Sequence, residues 1–214
     1  TIFSLWDTYR ALHPLYTILQ QQRTNDIVNS MLAHYEQSVH KILPVWSHYS
    51  NENWCMIGYH AVPVIVDAYM KGLRNYDVKK AFDAVLSSSN YKPYDGIGYY
   101  KKYGFVPEDL NSNSASKTLE YSYDDWTIYK FAESLGENKI ADEYYHRAQS
   151  YKNLFDPKTK ILRAKNSDGK FKEPFDALST ANQGYIEGNA WNYSLYVPHD
   201  VKGFINLLGG KEKL

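Results

Sequence analysis

Apolar residues recur along the chain at helical spacing, in runs separated by polar and glycine-rich segments. Ile2, Phe3 and Leu5 read as extended, and Leu12, Leu15, Tyr16 and Leu19 then repeat as one helix face, with Pro14 near the front of the run, where proline is tolerated. Asn25 or Asp26 is expected to cap a second helix whose stripe, Ile27, Val28, Met31, Leu32, Tyr35, Val39, Ile42 and Leu43, runs to Pro44. A third helix is expected from Tyr59 to Lys71, closing at Gly72, and a fourth from an Asp77 cap through Ala81, Phe82, Val85 and Leu86. Residues 87–116 read as a long irregular segment, rich in tyrosine and glycine, which suits an ordered loop at the rim of a site. LEYSYDDW, residues 119–126, opens a helix that reaches Leu135 and stops at Gly136. The clearest period follows, in Ile140, Ala141, Tyr144, Tyr145, Ala148, Tyr151 and Leu154, and is broken by Phe155, Asp156 and Pro157. A short hairpin is predicted with Ile161–Ala164 as one arm and Asp168-Gly169 at its turn, and a last helix runs from Asp200 to a stop at Gly209-Gly210.

The pattern therefore predicts an all-α protein of seven or eight helices with one minor β-hairpin. Short and long connections alternate, as in helical hairpins stacked in a ring. An open helical solenoid fits the same alternation, although no fixed-period repeat of that kind is present.

Composition narrows the function classes. The 214 residues carry 24 basic and 24 acidic side chains, which argues against a polyanion-binding surface and hence against nucleic acid. No run of 18 apolar residues occurs, so no membrane span is expected. Cys55 is the sole cysteine, which excludes an internal disulfide and a cysteine metal cluster. The aromatic content is unusual, with 21 Tyr, 8 Phe and 5 Trp. Tyrosine and tryptophan join an apolar face to a polar edge, and sugars are complementary to that, so either a glycan partner or a tyrosine-filled core is implied. The chain begins at Thr1 without a signal peptide and reads as a piece of a longer polypeptide.

Four stretches carry candidate chemistry. FSLWDTYRALHPL sets Trp6, Asp7 and Arg10 where extended chain gives way to helix. An acid and an arginine three apart share a helix face, giving either a surface ion pair beside a core tryptophan or a sugar subsite with Trp6 as platform and Asp7 accepting from hydroxyls. MIGYHAVPVIVDAY places His60 at the front of the third helix; it reads first as a packing residue, and no second histidine four residues away completes a zinc motif. TLEYSYDDW sets Asp124 and Asp125 beside Trp126, on a solvated helix face or in a site. YIEGNAWNYSLYVPHD gathers Glu187, an asparagine, Trp191, His199 and Asp200 in one short stretch. Its plain structural reading is a helix start, with Gly188 and Asn189 breaking the chain, Trp191 and Tyr193 turned inward, and Asp200 capping the next helix.

Together and in this order the four stretches resemble glycoside hydrolase family 92, a family of calcium-dependent, inverting α-mannosidases. The resemblance implies that these residues are a single domain, 1–214, forming part of an (α/α)6 toroid, with an N-terminal β-sandwich and a C-terminal remainder lying outside the chain. It implies hydrolysis of α-mannosidic linkages in a mannose-containing glycan, with α-1,2 as the candidate linkage, in a periplasmic or extracellular setting. Glu187, in EGNAWNY, matches the family's general acid; Trp6, Asp7 and Arg10 match the motif lining the sugar-binding end; His199 and Asp200 match the PHD that closes the acid motif. Asn192 stands where glutamine is expected and Leu195 where an aromatic residue is expected. The family's base lies in a later motif of the form GNDDxGQMSAW, absent here, so the base and some of the calcium ligands are expected in the remaining parts of the same enzyme. An inverting glycosidase needs two carboxyl groups across the bond, and its acid must stay protonated; Tyr185, Ala190 and Trp191, the last also a candidate substrate contact, are expected to bury Glu187. The alternative is a non-catalytic helical domain that binds carbohydrate or protein, in which Glu187 is exposed to solvent.

Overall fold

The computed structural model describes residues 2–49 and 51–213. Its elements, in chain order, are α1 (Leu5–Thr8), α2 (Leu12–Leu19), α3 (Gln21–Gln37), β1 (Ser47–His48), β2 (Asn51–Glu52), α4 (Ala61–Met70), α5 (Val78–Asn90), α6 (Ile97–Tyr103), α7 (Ser114–Leu135), α8 (Asn138–Ala148), a 3-10 turn (Ser150–Leu154), β3 (Phe155–Asp156), β4 (Ile161–Leu162), α9 (Ala190–Tyr193), α10 (Val201–Leu208) and a closing 3-10 turn (Lys211–Lys213). The fold is thus all-α with two short antiparallel strand pairs, β1 with β2 and β3 with β4. No helix among the described residues is long and apolar enough to cross a membrane.

The chain packs as two compact units, one of residues up to Tyr91 with Thr127–Tyr145, the other of Lys92–Trp126 with residues from His146 onward. In the first unit α2 packs on α3 and α4, and α3 also on α4 and α5. Helix α4 is buried on nearly every side, from Ala61 through Val66, because its sequence is apolar all round. Asp77 caps α5 as expected, its side chain accepting from the Lys80 amide.

Helix α3 departs from expectation at both ends. It starts at Gln21 and stops at Gln37. Asn25 is no cap: its side chain donates to the Gln21 carbonyl at 3.2 Å and accepts from the Asn75 amide at 2.9 Å, fastening the segment after α4. Ser38 leaves the helix in extended geometry, Val39 is 87% exposed, and Ile42 and Leu43 reach the core from irregular chain. The Leu43 amide there donates to the Ser88 hydroxyl at 2.8 Å, a tertiary partner that the helical period conceals. The first expected stripe is also rotated. Leu12, Leu15, Ile18 and Leu19 of α2 lie on the surface, and His13 and Thr17 face inward.

The second unit holds a core of Leu119, Tyr151, Leu154, Leu162, Tyr185 and Phe204 with their neighbours. The segment expected to be irregular is largely regular. α6 lies inside it between Gly96 and Gly104, both in left-handed geometry, and α7 begins at Ser114 rather than Leu119. The first half of α7 is buried around its whole circumference, with Ser116, Thr118, Glu120, Ser122, Asp124 and Asp125 at no more than 0% exposure. No amphipathic stripe exists there for a periodicity reading to find. The Asp168-Gly169 turn forms as expected, closed by a bridge between Lys165 and Phe171, while Ile161–Leu162 pairs backward onto Phe155–Asp156. The tyrosines are to a large extent core: Tyr94, Tyr100, Tyr121, Tyr144 and Tyr151 are among the largest fully buried side chains.

Candidate active site

Each unit carries part of the predicted constellation. In the first, α1 is one turn long and ends in a layer of flat groups. The Arg10 guanidinium lies 5.1 Å from the Trp6 ring and 4.8 Å from the Tyr9 ring, and its Nε donates to the Trp6 carbonyl at 3.0 Å. Such contacts hold a guanidinium by its face. Tyr9 is stacked on His60, with centroids 4.0 Å apart and planes 13° from parallel. His60 is fully buried at the front of α4. Gly58 makes room for it, since a Cβ there, at φ +84°, would lie 2.1 Å from the imidazole Nε2. Asp7 is exposed and accepts a short hydrogen bond from the Ser4 hydroxyl. The structure therefore brings Trp6 and Arg10 together. It adds Tyr9 and His60, which the sequence placed within their motifs but offered no reason to join.

In the second unit Glu187 ends a tightly fixed turn. The Gly184 carbonyl accepts from the amides of Ala115 and Ser116 at 3.0 and 3.2 Å, and the Ile186 amide donates to the Ser116 hydroxyl at 3.1 Å. Those first amides of α7 have no partners within their own helix, so the turn and the helix start satisfy each other. The buried Tyr185 donates to the Leu162 carbonyl at 2.7 Å. Glu187 itself takes φ +47°, in the left-handed region. A non-glycine residue held there costs about 1–3 kcal/mol, and such residues concentrate at functional sites. Asn189 then caps α9, accepting from the amides of Trp191 and Asn192, while the Asn192 side chain accepts from the Asn189 amide at 3.0 Å. Asn192, a departure from the family pattern, thus closes a reciprocal cap. Leu195, the other departure, is exposed.

The burial expected around Glu187 is not built by these residues. Tyr185 and Ala190 face the core, Glu187 is exposed, and Trp191 is 62% exposed instead of turned inward. A cap satisfied by side chains fixes the backbone of α9, and its short length leaves the indole outside.

His199 and Asp200 sit at the start of α10. Asp200 is its N-cap: one carboxylate oxygen accepts from the Gly203 amide at 2.9 Å, the other from the Tyr151 hydroxyl at 2.8 Å. His199 Nε2 donates to the Ala148 carbonyl at 3.0 Å, which fixes the tautomer, since a carbonyl only accepts. Nδ1 is therefore an acceptor, buried and without a partner. Burial pushes the His199 imidazole down to about 4, against smaller opposing effects of the Ala148 hydrogen bond and Asp200. Tyr151, Tyr123 and Trp126 surround the ring.

Asp125, a candidate site carboxylate from its motif, is committed elsewhere. It is fully buried, with Arg147 at 2.9 and 3.0 Å and the Tyr100 hydroxyl at 3.0 Å. Among the described residues no three or more His, Cys, Asp or Glu side chains group as a metal site.

Residues 1–214 match the Glycosyl hydrolase family 92 catalytic domain. The fold is similar to the GH92 α-mannosidase BT3965 of Bacteroides thetaiotaomicron, with a TM-score of 0.95 and 46% identity over 100% of this chain and 29% of that one. It is also similar to the GH92 inverting mannosidase BT2199 of Bacteroides thetaiotaomicron, with a TM-score of 0.91 and 36% identity over 99% of this chain and 29% of that one. An uncharacterized secreted glycosidase of Arthroderma benhamiae is 28% identical over 73% of this chain and 25% of its own length. The chain thus spans between a quarter and a third of the proteins it resembles. With the match running from the LWDTYR layer to the EGNAWNY turn and beyond, the chain belongs to glycosyl hydrolase family 92, as part of its catalytic domain.

Proposed function

We propose that these residues are part of one catalytic domain of an α-mannosidase that cleaves α-mannosidic linkages, with α-1,2 as the candidate, by an inverting mechanism. In it Glu187 donates the proton to the departing oxygen. The observation that carries this reading is the Glu187 turn. It is a strained, non-glycine carboxylate on a backbone pinned by α7 on one side and by the Asn189 cap on the other. A rigid backbone holds an acid within reach of a leaving group without reorganisation, which is what proton donation in a transition state requires. The kinship with mannosidases supports the substrate class.

Roles divide among the remaining residues. Trp6 offers a platform for a sugar face, with Arg10 held beside it as a donor to hydroxyls and Asp7 as an acceptor. Trp191, next to the acid turn, offers a second apolar face. His199 and Asp200 act on the site through α10, which they fix. The base that activates water, the groups that bury Glu187, and some of the ligands of the calcium implied by the family belong to the rest of the polypeptide. The likeness to a secreted glycosidase supports a periplasmic or extracellular location.

Replacing Glu187 by Gln in the full-length enzyme keeps the shape and removes the proton. Turnover of α-mannosides with poor leaving groups is expected to fall by roughly 10²–10⁴-fold, and that of aryl mannosides with activated leaving groups far less. An equal fall on both would assign Glu187 to binding. One observation favours the second reading, a non-catalytic glycan-binding domain: Glu187 and Trp191 are exposed on this chain. A loss confined to poor leaving groups in the Glu187→Gln variant excludes it.

A further inference from the structure

A concave site lies in the same unit as Glu187, outside the four motifs. The β3–β4 hairpin and the turn after it enclose an open cavity of about 610 Å³, lined among others by Phe171, Phe175, Lys158, Lys170, Asp156 and Arg163. That volume falls within the range of small-molecule sites, roughly 300–1,000 Å³.

Its walls are built rather than incidental. Arg163 is only 5% exposed, and its guanidinium donates to Asp156 at 2.8 Å, to Glu173 at 2.7 Å and to the Lys172 carbonyl at 2.8 Å. The rings of Phe175 and Phe171 lie 4.0 and 5.3 Å from it. These contacts hold the guanidinium rigidly in the wall, with its Nε buried.

The charges narrow the kind of ligand that the cavity suits. Asp156 and Glu173 neutralise Arg163, and Lys170 is paired with Asp168 at 3.1 Å. Among the described residues, Lys158 is the lining cation for which no such ion pair forms. The cavity therefore lacks the clustered positive charge that selects phosphate. What it offers is half-exposed aromatic surface beside a mixture of donors and acceptors, which suits a polyhydroxylated neutral ring.

We propose that this cavity is a second saccharide subsite, which holds a sugar unit of the substrate glycan other than the one cleaved at Glu187. The proposal rests on the α-mannosidase reading. It makes Phe171, Phe175 and Arg163 determinants of preference for longer glycans, with no part in bond cleavage.

The test uses full-length enzyme and two substrates, an α-linked mannotriose and an aryl α-mannoside. Phe171→Ala and, separately, Lys158→Ala are expected to raise KM for mannotriose roughly tenfold, the loss of one good contact, with kcat retained and the aryl mannoside unaffected. Equal changes on both substrates, or a fallen melting temperature with both activities reduced, would show that the rest of the polypeptide fills the cavity and would overturn the proposal. No change on either substrate overturns it as well. Saturation-transfer NMR with mannotriose reads binding without turnover. Signal that Phe171→Ala abolishes supports the subsite even in an enzyme that hydrolyses neither substrate, so failure of the subsite and failure of the mannosidase reading are distinguishable. Displacement of mannotriose by inorganic phosphate would identify an anion site and overturn the neutral ligand.

Discussion

The Tyr9 ring lies parallel to the His60 imidazole at 4.0 Å, and this one contact joins the LWDTYR and GYH motifs into a single layer. Arg10 rests on one end of the layer, against Tyr9, and Gly58 closes the other, against His60. The LWDTYR motif is therefore supported by a residue from a different helix.

Gly58 and His60 should be coupled. Gly58→Ala places a Cβ against the ring and a side chain at positive φ, and should destabilise the protein by about 1–3 kcal/mol. His60→Ala removes the ring from beneath Tyr9 and should cost a similar amount. In the double variant the clash is gone, so the two effects should sum to less than their parts by about 0.5–3 kcal/mol. Urea unfolding of the four proteins measures the difference. Strict additivity would mean that the ring and the glycine do not meet.

Asp125→Asn should be among the most destabilising single changes, at about 3–5 kcal/mol, because it leaves Arg147 buried opposite a neutral group. The paired change Asp125→Leu with Arg147→Met should lose much less, since it removes both charges together. Denaturant midpoints decide between these outcomes. If the single variant were as stable as wild type, Asp125 would not be the partner that holds Arg147.

His199 gives a pH dependence of definite sign. Its folded value, about 4, lies below the ordinary 6.5, so the unfolded chain binds the proton more readily. The stability it contributes is whole above about pH 6.5 and is lost as pH falls toward 4, up to about 3 kcal/mol in all. Asp200 and Lys152 also face the ring, and each moves the value less than burial does. Urea midpoints of wild type and His199→Gln between pH 4 and 7 should show a slope in the former that is reduced in the latter. Parallel slopes would assign the dependence to other groups.

The turned face of α2 predicts association. Leu12, Leu15, Ile18 and Leu19 are all exposed, Ile18 at 69%. An apolar stripe of this kind is an interaction surface. These 214 residues expressed alone should self-associate at micromolar concentration, and Ile18→Lys with Leu15→Glu should shift them toward monomer by analytical ultracentrifugation. A monomeric wild-type fragment would remove the stripe from consideration.

Much of this was legible beforehand, for identifiable reasons. The Asp77 and Asp200 caps, the Gly136 and Gly209 stops and the Asp168-Gly169 turn are local, and local chemistry decides them. The end of α3 was hidden because Ile42 and Leu43 satisfy a helical period while Ser88, distant in sequence, supplies the partner that draws them into extended chain. The exposure of the apolar face of α2 is not readable, because apolar spacing says which residues share a side, and says nothing of what covers that side. The Gly96 and Gly104 brackets of α6 were visible but were attributed to a loop. Motif resemblance alone singles out Trp6, Arg10 and Glu187 as candidates. The stack of Tyr9 on His60 and the strained φ of Glu187 are properties of three dimensions and have no trace in spacing.

Consider finally the first half of α7, whose residues read as hydrophilic and are enclosed on every side. An ordinary surface helix has a face on which substitutions accumulate harmlessly. Ser114 to Asp125 has none, so mutational tolerance there should be as low as in an apolar core and should fall evenly around the helix. A deep mutational scan would then find no 3.6-residue rhythm in this segment. Its polar side chains act as fixed internal scaffolding, and among related proteins the segment should diverge slowly.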